Sequence, residues 1–125
     1  MRLLLDTHVY LWSVTDNPKL SKVARKLIID ADEVFVSSAS IWEASIKAGL
    51  GKLDVDIDSL VSEIEASGFS ELPVRAVHAA KVRDLPDIHR DPFDRILVAQ
   101  ALTEPLRLVT ADGHLAKYTD LVLSV

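Results

Sequence analysis

The stretch Arg2-Leu3-Leu4-Leu5-Asp6-Thr7-His8 decides how the rest of the chain is read. Its apolar run is too short for a helix, and an apolar run of this length ending at an acid marks a strand buried on both faces. A strand covered on both faces belongs to a parallel sheet flanked by helices, so strands and helices are expected to alternate. They do. Thr7 to Val14 reads as helix, Asn17-Pro18 breaks it, and Ser21 stands where it can cap a helix carrying Leu20, Val23, Ala24, Leu27, Ile28 and Ala31 at three-to-four spacing. Glu33 to Ser37 is a second strand, and Ser38 to Ala48 a helix for which Gly49 offers a left-handed C-terminal cap.

The second half continues the alternation. Leu60, Val61 and Ile64 sit on a helix that Gly68 ends, and Phe69 to Leu72 forms a third strand. A helix beginning at Pro73 or Val74 stops at Pro86, leaving Asp87 to Arg90 as an exposed polar segment. Asp91-Pro92 is a strong helix start, because the carboxylate caps orphan amides while proline occupies the first helical position. That helix is apolar almost all round and runs to Leu102 or Thr103. Leu106 to Thr110 supplies a fourth strand, Asp112-Gly113-His114-Leu115 opens a short helix, and Leu121 to Val125 can close the sheet as an edge strand. The expectation is one α/β domain over residues 1–125, with three α/β/α layers and a mostly parallel sheet of four or five strands.

Composition narrows the function. A chain of 125 residues, 49% hydrophobic and 26% charged, suits one domain with a real core. The absence of cysteine excludes disulfides, thiolate-held zinc, cysteine-bound iron–sulfur clusters and thiol nucleophiles, and suits a cytoplasmic location. No apolar run approaches the roughly 18 residues of a membrane helix, so no membrane partner is expected. A net charge of -5 disfavours non-specific attraction to a nucleic-acid backbone. Such a substrate would need metal ions or a basic rim.

Asp6 and Asp112 each follow a strand and precede a helix, which puts both near the carboxyl edge of a parallel sheet, where crevices bind ligands. Glu43 and Asp94 can point to the same edge from their helices. Carboxylates gathered there repel one another, and a hard divalent cation is the simplest counter-charge. Oxygen donors without sulfur favour Mg²⁺ or Mn²⁺ over zinc. A divalent ion so held can orient and activate water against a phosphodiester. The same residues also fit a plainer account. Asp6 and Asp112 can be N-caps, Ser40 with Glu43 or Asp91 with Asp94 can be capping boxes, and Glu43 can pair with Lys47 one turn on. Asp91 reads best as a cap.

His8, His78, His89 and His114 lack regular metal spacing and read as core or surface residues. Lys47, Arg90 and Arg95, extended by Lys52, His89 and Lys117, can form a rim that positions phosphates, or simply scattered solvated charge. Trp12 and Trp42 suit core or interface packing better than base stacking. From these residues alone two other functions stay open: a metal-independent binding protein whose acids dock a basic partner, and a metal-dependent phosphatase or DNA nuclease.

Four fragments carry a family resemblance: Leu3-Leu4-Leu5-Asp6-Thr7-His8, Ser38-Ala39-Ser40-Ile41-Trp42-Glu43, His89-Arg90-Asp91-Pro92-Phe93-Asp94-Arg95 and Leu108-Val109-Thr110-Ala111-Asp112. In this order and spacing the chain resembles PIN-domain ribonucleases of the VapC toxin family, from type II toxin–antitoxin systems. The resemblance implies that Asp6, Glu43, Asp94 and Asp112 are catalytic and bind one or two Mg²⁺ or Mn²⁺ ions. It also implies that Thr110, and Thr7 with it, orient the site from behind; Asp91, read above as a cap, is kept as a further candidate beside them. Gly49-Leu50-Gly51-Lys52-Leu53 extends the similarity into a segment that supports dimerisation. The implied activity is metal-dependent endoribonuclease hydrolysis of transfer or ribosomal RNA, leaving 5′-phosphate and 3′-hydroxyl ends. The implied partners are a VapB-like antitoxin and a second copy of the chain.

Overall fold

The computed structural model describes residues 1–125. Its five strands are β1 (Arg2–Leu5), β2 (Glu33–Ser37), β3 (Ser70–Leu72), β4 (Arg107–Thr110) and β5 (Val122–Ser124). They form one sheet in the order β3-β2-β1-β4-β5, every neighbouring pair parallel. The six helices are α1 (Thr7–Val14), α2 (Lys22–Asp30), α3 (Ser38–Gly49), α4 (Ile57–Ala66), α5 (Ala76–Lys81) and α6 (Pro92–Thr103). Short 3₁₀ turns at Val82–Asp84 and Gly113–Lys117 complete the chain.

The leucine run of β1 explains the layering. Side chains alternate across a strand, so Leu3 and Leu5 face one side of the sheet and Leu4 the other, all three fully buried. Leu3 and Leu5 join Val9, Tyr10, Ala24, Leu60 and Ile64 in a core beneath the helices α1 to α4. Leu4 joins Leu108, Leu97, Val98 and Ala101 beneath α6. Each leucine so buried contributes about 1.5–3 kcal/mol by leaving water. With β2 and β4 as its neighbours, β1 is the central strand that its composition demands.

Buried polar groups tie the outer layer down. His78 on α5 is fully buried, receives the Arg75 amide on Nδ1 at 3.0 Å and sets Nε2 2.6 Å from Glu104 at the end of α6. Together they cap α5 and anchor it to α6. Three local features differ from what residue preference predicts. Gly49 is the last residue of α3, and the left-handed turn falls at Gly51, φ +73°, because the Gly51 amide reaches back to the Ala48 carbonyl. The helix after β3 starts at Ala76, not at Pro73 or Val74, because the Val74 amide is taken by the Ser38 hydroxyl and the His78 ring caps at Arg75. The cap of α3 is Ser37, whose Oγ accepts the Ala39 amide, so Ser40 forms no capping box with Glu43.

Candidate active site

The strand order changes direction at β1. The chain builds outward through β2 and β3, then returns to place β4 on the other side of β1. A crevice opens where such a sheet switches direction, beyond the carboxyl ends of the strands. Asp6 immediately follows β1 and Asp112 lies just past β4, so both stand at this point. A cleft of about 430 Å³ occupies it, lined by Asp6, Glu43, Asp94, Asp112 and Asp91, with Thr7, His8, Trp12, Lys19, Lys47 and Ala111.

Asp6 is buried and has two attachments. Its Oδ1 accepts the Val9 amide at 2.8 Å, making it the N-cap of α1, and its Oδ2 accepts the Thr110 hydroxyl at 2.5 Å. Capping and facing the cleft therefore coexist in one carboxylate. Burial raises its pKa above the ordinary carboxyl value, while the Thr110 and Val9 hydrogen bonds pull it back. Thr110 is shared, because its Oγ also accepts the Asp112 amide at 3.0 Å. Asp112 in turn caps the adjoining 3₁₀ turn through the His114 amide at 3.0 Å.

Glu43 projects from the second turn of α3, buried, and receives Lys47 Nζ at 2.7 Å. Asp94 enters from the first turn of α6 behind the N-cap Asp91, whose Oδ1 accepts the Phe93 and Asp94 amides at 2.8 and 3.4 Å. The Asp94 carboxyl is pushed up to about 7, first by burial and then by the charge of Asp91; His89 opposes this, and the charges of Asp6 and Glu43 add to it. The acids thus feel one another across the cleft.

The basic residues are arranged differently from expectation. Arg95, a candidate for phosphate contact, spans a loop: Nη1 donates to the carbonyls of Pro86 and His89 at 3.0 and 3.3 Å and to Tyr118 Oη at 3.2 Å, while Nη2 donates to the Val82 carbonyl at 3.3 Å. Four acceptors together hold the guanidinium against the loop. Lys47 lines the cleft but is paired with Glu43 rather than free for phosphate. Arg90 borders an apolar hollow of about 640 Å³ beside the acidic cleft, together with Trp42 and Phe93. Lys52 and Lys117 are exposed and line no part of the cleft, whereas Lys19 and His8 do. Thr7 is buried with its hydroxyl on Ser40 Oγ at 3.0 Å, so it supports α3 rather than an acid.

The segment Asp87 to Arg90 holds a residue that spacing does not reveal. His89 is partly buried, with Nε2 3.3 Å from Asp112 Oδ2 and 3.6 Å from Asp94 Oδ2. Only its place two residues ahead of the helix cap hints at this in the sequence.

The family model for the PIN domain matches residues 3–121. The chain belongs to the PIN-domain family. This PIN domain is also 30% identical over 122 residues to Ribonuclease VapC22 of Mycobacterium tuberculosis, covering 93% of this chain and 91% of the relative, and so belongs with the VapC ribonucleases. Among solved structures it resembles that of VapBC2 from Rickettsia felis bound to a DNA fragment from their promoter, with a TM-score of 0.71 at 17% identity over 99% of this chain and 98% of that one. It also resembles a toxin–antitoxin complex from Klebsiella pneumoniae, with a TM-score of 0.67 at 15% identity over 98% and 96% of the two chains. At these identities the likeness is one of fold: an α/β PIN fold on a five-stranded parallel sheet. No helix of this PIN domain is long and apolar enough to cross a membrane.

Proposed function

We propose that this chain is the toxin of a type II toxin–antitoxin system and an endoribonuclease that hydrolyses RNA phosphodiester bonds, with transfer or ribosomal RNA as substrate. The observation that carries the reading is the convergence of Asp6, Glu43, Asp94 and Asp112 on one cleft of a VapC-family chain. The donor set fits one or two hard divalent cations, Mg²⁺ or Mn²⁺. It is all oxygen, and burial chiefly, with neighbouring carboxylates adding to it, raises the pKa values of Asp6 and Asp94, a cost that a bound cation offsets. A divalent cation in such a site supplies electrophilic stabilisation of phosphoryl oxygens and eases deprotonation of the attacking water.

The protein's own residues supply positioning. Thr110 holds Asp6 and the Asp112 backbone together, Asp91 fixes the start of α6 and hence Asp94, and Lys47 steadies Glu43. Exposed Lys19 at the cleft margin, with His8 and Trp12, offers a surface for the RNA backbone.

The Klebsiella pneumoniae neighbour is a toxin–antitoxin complex and the Rickettsia felis one a VapBC2 assembly, which supports a VapB-like antitoxin for this chain. A homodimer is supported by the apolar face around Trp42, which is 64% exposed and packs edge-on against Phe93 at 5.1 Å. The same reading puts the protein in the cytoplasm as a single domain. The test is cleavage of structured RNA by the purified chain with Mg²⁺ or Mn²⁺, arrested by EDTA and about 100-fold or more slower in Asp6→Asn. Metal-independent cleavage, or turnover of DNA or a phosphomonoester in preference to RNA, would overturn it.

A further inference from the structure

His89, Asp94 and Asp112 place one nitrogen and two carboxylate oxygens within 4.8 Å of one another, a grouping that could be taken for a three-residue metal site. The hydrogen bonds around the imidazole argue otherwise. The Asp91 amide donates to His89 Nδ1 at 3.1 Å, which requires a lone pair there and assigns the ring proton to Nε2. Nε2 is the atom that faces the carboxylates. A protonated nitrogen cannot ligate a cation; it presents a positive N–H edge instead.

The main chain that carries the ring is also fixed, at both its amide and its carbonyl. The His89 amide donates to Tyr118 Oη at 2.8 Å, and its carbonyl receives Tyr118 Oη and Arg95 Nη1 at 3.3 Å each. Arg95, Tyr118 and the Asp91 amide thus form a clamp whose effect is to aim one N–H at two acids. Nε2 stands at contact distance from both carboxylates, 3.3 and 3.6 Å, rather than in an aligned bond to one, so it draws them toward a shared point.

Building on the divalent-metal reading above, we infer that His89 is a positioning residue that sets the separation of Asp94 and Asp112 for the cation, and not itself a ligand. Groups of this kind behind metal ligands commonly alter metal affinity about 10–100-fold when removed.

The test uses Mn²⁺ as probe on the full chain. Binding is measured from the electron paramagnetic resonance of free Mn²⁺, and the bound ion is examined by pulsed resonance for imidazole nitrogen coupling. Wild type should bind Mn²⁺ without nitrogen coupling. His89→Ala should bind about tenfold or more weakly, with an unchanged melting temperature in EDTA to show that it folds. His89→Gln, which restores an N–H near the position of Nε2, should recover most of the affinity. Nitrogen coupling in wild type that disappears in His89→Ala would make His89 a ligand and overturn the inference, as would equal Mn²⁺ affinity of His89→Ala and wild type. If wild type and Asp6→Asn both fail to bind Mn²⁺, the metal-site reading beneath falls first, and this inference with it.

Discussion

Thr110 and Asp6 are 104 residues apart in the chain, yet the Thr110 hydroxyl donates directly to Asp6 Oδ2 because β1 and β4 lie side by side in register. The same hydroxyl accepts the Asp112 amide, so one buried oxygen relates two of the acids. Thr110→Val keeps the shape and removes both bonds. A hydrogen bond to a charged group contributes about 1.5–3 kcal/mol, and a loss of that order is expected in urea denaturation. Weaker Mn²⁺ binding should accompany it. Thr110→Ser should restore both, and a Thr110→Val protein that binds Mn²⁺ like wild type would remove Thr110 from the site.

Asp6→Asn retains an oxygen that can accept the Val9 amide and cap α1, so the protein should fold with a melting temperature near wild type. Its RNA cleavage rate should fall by about 100-fold or more, the scale of losing one electrostatic stabiliser of a transition state. Cleavage by a well-folded Asp6→Asn protein at the wild-type rate would show that the chemistry lies elsewhere.

Asp94 predicts a pH dependence of stability in EDTA. Its carboxyl is at about 7 in the folded chain against an ordinary 3.8, so between those values the folded state keeps a proton that the unfolded state has released. From this group, stability is fully present below about 3.8, declines as pH rises, and is lost above about 7. Asp94→Asn removes the dependence. The variant's gain in melting temperature over wild type should therefore be greater near pH 8 than near pH 5. Added Mn²⁺ should also stabilise wild type more at the higher pH, since the ion favours the charged carboxylate. A gain independent of pH would contradict the placement of Asp94.

Arg95→Met should destabilise the protein, because the four hydrogen bonds that the guanidinium donates across the loop are lost. A cost of about 1.5–3 kcal/mol is expected, the scale of hydrogen bonding by a charged group. The salt dependence of RNA binding should stay as in wild type, since no phosphate contact is lost. A shallower salt slope with unchanged stability would restore the phosphate role.

Trp42→Glu places a charge in the exposed apolar face that Trp42 shares with Phe93. Sedimentation should show wild type as a dimer and the variant as a monomer with the same melting temperature at low concentration. A wild type that sediments as a monomer at all accessible concentrations would remove the dimer from the reading.

Much of the fold is legible in the chain because local rules decide it. The β1 run, the break at Asn17-Pro18, the Ser21 cap and the Asp91-Pro92 start each act within a few residues, and the structure places strands and helices accordingly. The misplacements share a cause. Local preference points to Gly49, Val74 and Ser40, but specific hydrogen bonds decide: the Gly51 amide meets the Ala48 carbonyl, the Ser38 hydroxyl takes the Val74 amide, and Ser37 caps α3 through the Ala39 amide. The candidate acids are legible as types at strand ends and helix starts. Arg95 is not, because nothing in its neighbours in sequence announces that Val82, Pro86 and Tyr118 will surround it.

Residue order alone indicates which segments favour strand or helix, that β1 is buried on both faces, and that Asp91 caps the helix it precedes; it offers the same role for Asp6 and Asp112. These depend on backbone geometry and on side-chain periodicity within a turn or a pleat. The packed chain is needed to show that β4 returns beside β1, that Thr110 meets Asp6, that Lys47 pairs with Glu43, and that His89 turns Nε2 toward Asp94 and Asp112. Contacts of that kind are set by strand order and by how helices seat on the two faces of the sheet, and neither is encoded in any short run of residues.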